Sequence, residues 1–331
     1  ALGLNHQAQE WSHRLQEISK LVRYSQQSLI IAISSLLVID GRLTPGAMVA
    51  ANLLMSRTLA PIDMMVNTWR NFITARVSFL RLEKLLERGG RPSSLDDAVP
   101  ERAELLVRGL TATASQRAKP ILKHLNASFS PGEVVVVVGP SGSGKSTFAR
   151  CLVGIWPERQ GEVLLDGRDV EAWDRHLLGP RIGYLPQEIE LFEGSIAENI
   201  ARFGEVDPEQ VVRAAKRAGI HEMVLRHPKG YDTQIGESGH LLSAGQRQRI
   251  GLARAMYGDP LLIVLDEPNA HLDDAGEGCL LRAVRELKPE GRLVVMISHR
   301  NNATAAADRI LKLEGGLLVA EFRRQELAVA S

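Results

Sequence analysis

Cysteine is scarce in this sequence: Cys151 and Cys279 are the two in 331 residues. They stand far apart with no ligand spacing, so both are expected to be small buried hydrophobes in a reducing compartment. An imbalance of charge is also missing. The formal net charge is +1, which removes bulk electrostatics as an argument for a nucleic-acid partner. No initiator Met and no basic n-region with a small-residue cleavage site open the chain, which is therefore expected to begin inside a longer protein. No apolar run reaches cleanly the roughly 20 residues that a membrane-spanning helix needs, and no internal repeat is visible. What remains is an ordinary globular composition, 24% charged and 44% apolar. That suffices for a buried core and suggests two or three domains.

Residues 1–90 carry few strand signals. Glu10–Gln27 is polar and helix-prone; Tyr24–Ile39 has no charge, and Ser28–Ile39 is strongly apolar. A turn, DGRLTPG, follows at Asp40–Gly46. Ala47–Val66 is again mostly apolar, broken by Asn52, Arg57, Pro61 and Asp63. Two readings stay open on hydropathy: two membrane helices, about 24–40 and 46–66, or a buried hairpin of core helices. Arg14, Lys20 and Arg23 precede the first stretch, and Arg70, Arg76, Arg81 and Lys84 follow the second. If the stretches span, that charge places both outer ends in the cytoplasm. Arg57 would then be an intramembrane charge, expected to face a polar cavity or to snorkel to an interface. Asn67–Arg88 continues as a charged amphipathic helix to Gly89-Gly90.

GGRPSSLDDAVPERAE, residues 89–104, is a polar linker. Beyond it strand and helix patterns alternate, as in a doubly wound α/β core. Leu105–Val107 and Ala127–Phe129 read as strands of a β layer; Glu133–Val138, Leu261–Leu265 and Leu293–Ile297 read as buried parallel strands.

GPSGSGKST follows the first buried run and precedes a helix. Gly139, Pro140, Ser141, Gly142, Ser143, Gly144, Lys145, Ser146 and Thr147 complete the phosphate-loop pattern G-x-x-x-x-G-K-[ST] in its required context. The glycines let backbone N–H groups surround a phosphate chain. Lys145 would reach the β- and γ-phosphates of ATP, and Ser146 would offer its hydroxyl to Mg²⁺. LLIVLDEP, Leu261–Pro268, delivers Asp266 to the same metal. Glu267 beside it could polarise a water in line with the γ-phosphate.

A second anion site lies a hundred residues on. In HLLSAGQRQRIGLARAM, His240–Met256, Ser243 reads as an N-cap with Gln246 at capping-box spacing, and Gly258 and Pro260 stop the helix. Such a start offers N–H groups, a hydroxyl and a positive dipole end. One loop, one metal ligand and one base already suffice within a chain. Ser243, Gly245 and Gln246 therefore make sense if they face ATP bound by another copy.

LLSAGQRQRIGLARA resembles the signature motif of ATP-binding cassette (ABC) proteins. Gln187 in GYLPQEIELF resembles that family's Q-loop, Leu272-Asp273 its D-loop, and His299 in VVMISHR its switch histidine. GIWPERQGEVLLDGRDVEAWD, IGYLPQEIELFEGSIAENIARFG, LDEPNAHLD with Asn269-Ala270-His271, the tryptophans Trp156 and Trp173, and SRTLAPID at Ser56–Asp63 resemble the type I secretion ABC exporters of the protease-secretion branch. The resemblance implies an α/β P-loop NTPase with a β subdomain and a helical subdomain over 105–326. A C-terminal transmembrane fragment over 1–90, a linker at 91–104 and a tail at 327–331 complete it. It implies Gln187 as a further metal contact and a link to the membrane helices, and His299 as holder of the γ-phosphate beside Glu267. It also implies a homodimer closed over two ATP–Mg²⁺, and a polypeptide cargo. A periplasmic adaptor, an outer-membrane channel and a bacterial inner-membrane location with the ATPase in the cytoplasm follow the same resemblance. A lipid or drug exporter and a soluble ABC ATPase are the alternatives. Two departures stand out: Ala244 replaces the first glycine of the signature pair, and Gly109–Pro120 has no aromatic to stack on adenine.

Overall fold

The computed structural model describes residues 21, 24–89, 98–114, 119–236, 239 and 242–323. The expected flanking charges Arg14, Lys20 and Arg23, the linker residues 91–97 and the tail 327–331 lie outside the described residues. The chain divides into two units, Ala1–Pro92 and Ser93–Ser331.

In the first unit, residues 24–39 form helix α1 and Pro45–Gly89 forms helix α2. The turn between them uses Gly41 at φ 71, a conformation cheap only for glycine. Thr44 Oγ1 accepts the Ala47 N–H at 3.3 Å, capping α2, with Pro45 at the first helical position, where a missing N–H does no harm. Pro61 lies inside α2; it has no N–H to donate to the Arg57 carbonyl one turn back. Thr58 Oγ1 donates to Leu54 O at 2.8 Å in the same stretch. Ser35 Oγ meets Met48 Sδ at 3.8 Å, joining the two helices. Residues 24–39 and Pro45–Gly89 are thus helical on either side of the turn. Among the described residues, however, no helix is long and apolar enough to cross a membrane. Asn52, Arg57, Pro61 and Asp63 dilute the apolar sequence of α2. Leu29, Leu36, Ile39, Val49 and Leu54 are nonetheless exposed.

The second unit has two sheets. β1 (Leu105–Ala112), β2 (Leu122–Phe129), β4 (Arg159–Leu165) and β5 (Arg168–Asp169) form an antiparallel layer in the order β2-β1-β4-β5. β3 (Val134–Val138), β6 (Ile182–Leu185), β7 (Leu262–Asp266), β8 (Leu293–Ile297), β9 (Arg309–Glu314) and β10 (Leu317–Arg323) form the main sheet, ordered β10-β9-β3-β8-β7-β6. It is parallel from β9 to β6, with β10 antiparallel at its edge. The helices are α3 (Lys145–Leu152), α4 (Arg175–Leu178), α5 (Ile196–Ile200), α6 (Pro208–Arg217), α7 (His221–Leu225), α8 (Ala244–Met256), α9 (Asp274–Leu287) and α10 (Asn301–Ala306).

The β-branched run of β3 is explained by burial on both faces. Val134 and Val136 enter one core with α5, α6, α8 and α9; Val135 and Val137 enter another with α3 and the antiparallel layer. Alternate side chains of a strand point to opposite faces, so a central parallel strand must be apolar throughout. β7 and β8 divide in the same way: Ile263, Leu265, Val294 and Met296 on one side, Leu262, Val264, Leu293 and Val295 on the other. Because these strands run in one direction, their C-terminal ends lie together at one end of the sheet, where ligands bind in open α/β folds. Cys151 is fully buried, and burial pushes its thiol up to about 12. Cys279 is only half-buried, on α9, so the expectation of two buried thiols holds for one.

Candidate nucleotide site

The phosphate loop connects β3 to α3 and owes its path to glycine. Gly139 has φ 153, and a Cβ there would lie 2.0 Å from Leu313 O. Gly144 has φ 100, with Leu122 Cδ2 2.6 Å from a Cβ position. No side chain fits at either place. Gly142 also takes a positive φ, 77, but in open space. Gly144 serves as N-cap of α3 with no side-chain cap, leaving the first-turn N–H groups of Lys145, Ser146 and Thr147 for a ligand. Pro140 and Ser141 are exposed at the loop's outer turn, while Ser143 is buried. Its Oγ has no hydrogen-bond partner.

Lys145 is buried, and its Nζ donates to Gly139 O and Pro140 O, each at 2.9 Å. Burial lowers its pKa, against the pull of Glu267 and Asp266. Asp266 ends β7 with no solvent exposure, and neither carboxylate oxygen has a hydrogen-bond partner. Burial raises its pKa; the Ser146 hydroxyl beside it acts in the opposite direction. A fully buried carboxylate with unbonded oxygens costs free energy unless something cationic satisfies it. Asp266 and Ser146 therefore fit a hard divalent cation, which takes oxygen ligands.

Glu267 turns the chain at the strand end with φ 50, a left-handed conformation that is costly for a non-glycine residue. Its N–H donates to Ile297 O at 3.0 Å, tying the exit of β7 to the exit of β8. That tie brings the Glu267 carboxylate 3.9 Å from His299 Nε2. Gln187 stands two residues beyond the end of β6, exposed. Lys145, Asp266, Glu267 and His299 are thus gathered at the C-terminal ends of β3, β7 and β8.

The α8 start is organised differently. Gln246 N donates to Ser243 Oγ at 3.2 Å and Ser243 N donates to Gln246 Oε1 at 2.8 Å, the full capping box. Among the described residues no hydrogen bond joins this start to Gly139–Thr147. Ser243 keeps its O–H proton and Gln246 its amide N–H groups for an outside acceptor. Ala244 is exposed, so its methyl crowds nothing within the chain. Gly245 is the restricted position: a Cβ would lie 2.9 Å from His271 O.

Several connections were not read from the sequence. Gln248 is buried, and its Nε2 donates to Pro268 O at 3.0 Å and Glu267 O at 3.4 Å. Arg249 pairs with Asp273 at 2.5 Å, where backbone N–H from Gly276 holds the Asp273 carboxyl below its usual range and Arg249 adds to the effect. Glu277 is buried on α9 among Asn269 and Arg300. The available signal was periodicity. Gln248 shares a helical face with Leu252 and Met256, and Glu277 with Leu280, Val284 and Leu287, polar groups on otherwise apolar stripes. For the adenine platform, positions 115–118 of Gly109–Pro120 lie outside the described residues; Trp156 Nε1 donates to Thr113 O, within that stretch, at 2.9 Å.

Residues 122–270 match the family model described as ABC transporter. The type I secretion system ATP-binding protein PrsD of Rhizobium meliloti (strain 1021) is 43% identical over 307 residues, 92% of this chain and 52% of that protein. The toxin RTX-I translocation ATP-binding protein of Actinobacillus pleuropneumoniae is 35% identical over 88% of this chain and 41% of its own length. The cyclolysin secretion/processing ATP-binding protein CyaB of Bordetella pertussis is 37% identical over 89% and 41%. The chain thus spans about half the length, or less, of these relatives. Among solved structures, that of a bacterial Atm1-family ABC exporter with ATP bound matches with a TM-score of 0.68 at 29% identity, covering 92% of this chain and 54% of that one.

Proposed function

We propose that this chain, whose residues 122–270 match the ABC transporter family model and which resembles type I secretion ATP-binding proteins, powers the export of polypeptide in type I secretion by hydrolysing ATP. The observation that carries the hydrolytic part is the state of Asp266, fully buried with both oxygens unbonded between Ser146 and Glu267. Ser146, Asp266 and Gln187 would hold Mg²⁺, which supplies positive charge against the β- and γ-phosphate oxygens. The amides of Gly139–Thr147 and the Lys145 ammonium cradle the phosphate chain. Glu267 accepts a proton from the attacking water, and His299, 3.9 Å from it, donates toward the γ-phosphate. Ser243, Gly245 and Gln246 of a second copy close over that phosphate, making the working unit a homodimer with two sandwiched nucleotides.

The α1–α2 hairpin is read as part of a membrane domain in the bacterial inner membrane, with the ATPase on the cytoplasmic side. This rests on the relatives' secretion and translocation names and on their greater length, not on the hydropathy of the described helices. A periplasmic adaptor and an outer-membrane channel are the partners proposed on the same ground. The test is hydrolysis of Mg²⁺–ATP by the wild-type chain and by Glu267→Gln. We expect the variant to bind ATP normally and to turn over about a hundredfold slower or less. Equal turnover would overturn the assignment of Glu267.

A further inference from the structure

The proposed mechanism makes no use of a buried acidic residue that bridges its two key segments. Glu277 sits in the first turn of α9, with its N–H on Asp273 O at 2.9 Å. Its side chain is 6% exposed. One carboxylate oxygen accepts Asn269 Nδ2 at 3.2 Å and the other accepts Arg300 Nη1 at 2.9 Å. Asn269 Oδ1 in turn accepts Ser298 Oγ at 3.3 Å, and Ser298 Oγ accepts the Arg300 N–H at 3.2 Å. These bonds close a ring through Glu277, Asn269, Ser298 and Arg300.

The members of that ring are placed with respect to the chemistry. Asn269 is two residues past Glu267, and Ala270 N–H returns to Glu267 O at 3.1 Å. Ser298 and Arg300 flank His299 on both sides. Glu277 therefore holds both the segment bearing the base and the segment bearing the histidine, from a helix that carries neither.

We propose that Glu277 is a positioning residue of the hydrolytic site, acting through Asn269, Ser298 and Arg300 to set the 3.9 Å approach of His299 to Glu267. This rests on the reading that Glu267 and His299 carry hydrolysis. The ion pair is a weak source of stability, because Arg300 is 46% exposed and exposed pairs contribute little. Geometry accounts for the residue. Glu267 sits at φ 50, a conformation that persists only when its surroundings over-determine it. Gln248 restrains its carbonyl and that of Pro268 from α8, and the Glu277 ring restrains Asn269, two residues on. The catalytic pair stands on two separate strand exits, and a misplacement of about 1 Å at such a pair can cost on the order of a hundredfold in rate.

The experiment compares the full chain with Glu277→Gln, Glu277→Leu, His299→Ala and the double variant Glu277→Leu/His299→Ala. It reads melting temperature, ATP affinity, KM, kcat and single-turnover hydrolysis followed for hours. We expect Glu277→Leu to retain ATP affinity and KM within about twofold while kcat falls about ten- to a hundredfold. Glu277→Gln keeps the shape and an acceptor for Asn269, so its loss should be smaller. In the His299→Ala background the Glu277 substitution should lower the rate by a clearly smaller factor, because only its hold on the Glu267 segment through Asn269 remains. An equal fall in both backgrounds, or an unchanged kcat in a folded Glu277→Leu protein, would overturn the proposal. If Glu277→Leu does not fold, Ser298→Ala carries the test: a lower kcat at constant KM supports the ring, and an unchanged kcat overturns it. Glu267→Gln is run alongside. If it hydrolyses ATP at the wild-type rate, the underlying reading fails; if it is slow while the Glu277 variants are normal, only this inference fails.

Discussion

Two helices in the ATPase unit begin at a proposed phosphate, and they begin in opposite ways. α3 starts from Gly144, left-handed and without a side-chain cap. α8 starts from Ser243 with a complete capping box. A helix start always leaves donors to satisfy. In α3 the chain supplies no side chain for them, which leaves the cap open to an anion. In α8 the N3 amide of Gln246 is already bonded to Ser243 Oγ. What α8 can offer is narrower: the first-turn amides of Ala244 and Gly245, the Ser243 hydroxyl proton, the Gln246 side-chain N–H groups and the positive end of the dipole. The first start is built to hold a nucleotide alone. The second is a self-sufficient helix end that can approach a phosphate held elsewhere.

The largest expected effect breaks the first start. Lys145→Ala removes the buried ammonium that crosses the loop mouth, and ATP affinity or turnover should fall by at least about a hundredfold, read by equilibrium binding and phosphate release. The second start separates capping from recognition. Ser243→Asp keeps an N-cap acceptor of equal quality but sets a negative charge against a phosphate. Melting temperature and ATP affinity should hold, while hydrolysis falls about tenfold or more; unaltered hydrolysis would count against a role for Ser243 at the second nucleotide.

A smaller effect concerns what the first site costs the fold. Burial raises the Asp266 pKa, so ionised Asp266 destabilises the protein without metal or nucleotide. Asp266→Asn should therefore raise the melting temperature of the ligand-free protein in differential scanning fluorimetry at neutral pH while removing metal-dependent hydrolysis. The smallest effect is acid sensitivity of the helix ends that are fully capped. Asp207 caps α6, and hydrogen bonds from Gln210, then Glu209, hold its carboxyl below the usual range. A depressed folded pKa contributes stability above the unfolded value, lost as pH falls through the folded one. Asp207→Asn should flatten the fall of melting temperature below the ordinary carboxylate pKa and leave neutral stability nearly unchanged.

Local signals were legible in the sequence. The glycine pattern of the phosphate loop, the capping box at Ser243 and Gln246, and the apolar runs of β3, β7 and β8 each depend on neighbours within a few residues, and each appears as read. β6 escaped because four residues of Ile-Gly-Tyr-Leu give no period. β9 and β10 escaped because an edge hairpin is half solvated. Asn269, Glu277, Ser298 and Arg300 escaped as a group: their ring spans three elements, and only the tertiary fold brings them together. The hairpin of α1 and α2 was legible as helix, yet its surroundings were not, since hydropathy diluted by Asn52, Arg57, Pro61 and Asp63 does not specify a solvent.

The central claim is that α8 of one copy completes the phosphate site of another. The most direct measurement is thiol cross-linking between copies carrying Ser243→Cys and copies carrying Ser141→Cys, both in the Glu267→Gln background, with Cys279→Ser removing the half-buried native thiol. The account predicts a cross-link between copies that forms with Mg²⁺–ATP and is lost when Lys145→Ala is added to the Ser141→Cys copy. A cross-link independent of ATP, or its absence while ATP is bound, would contradict it.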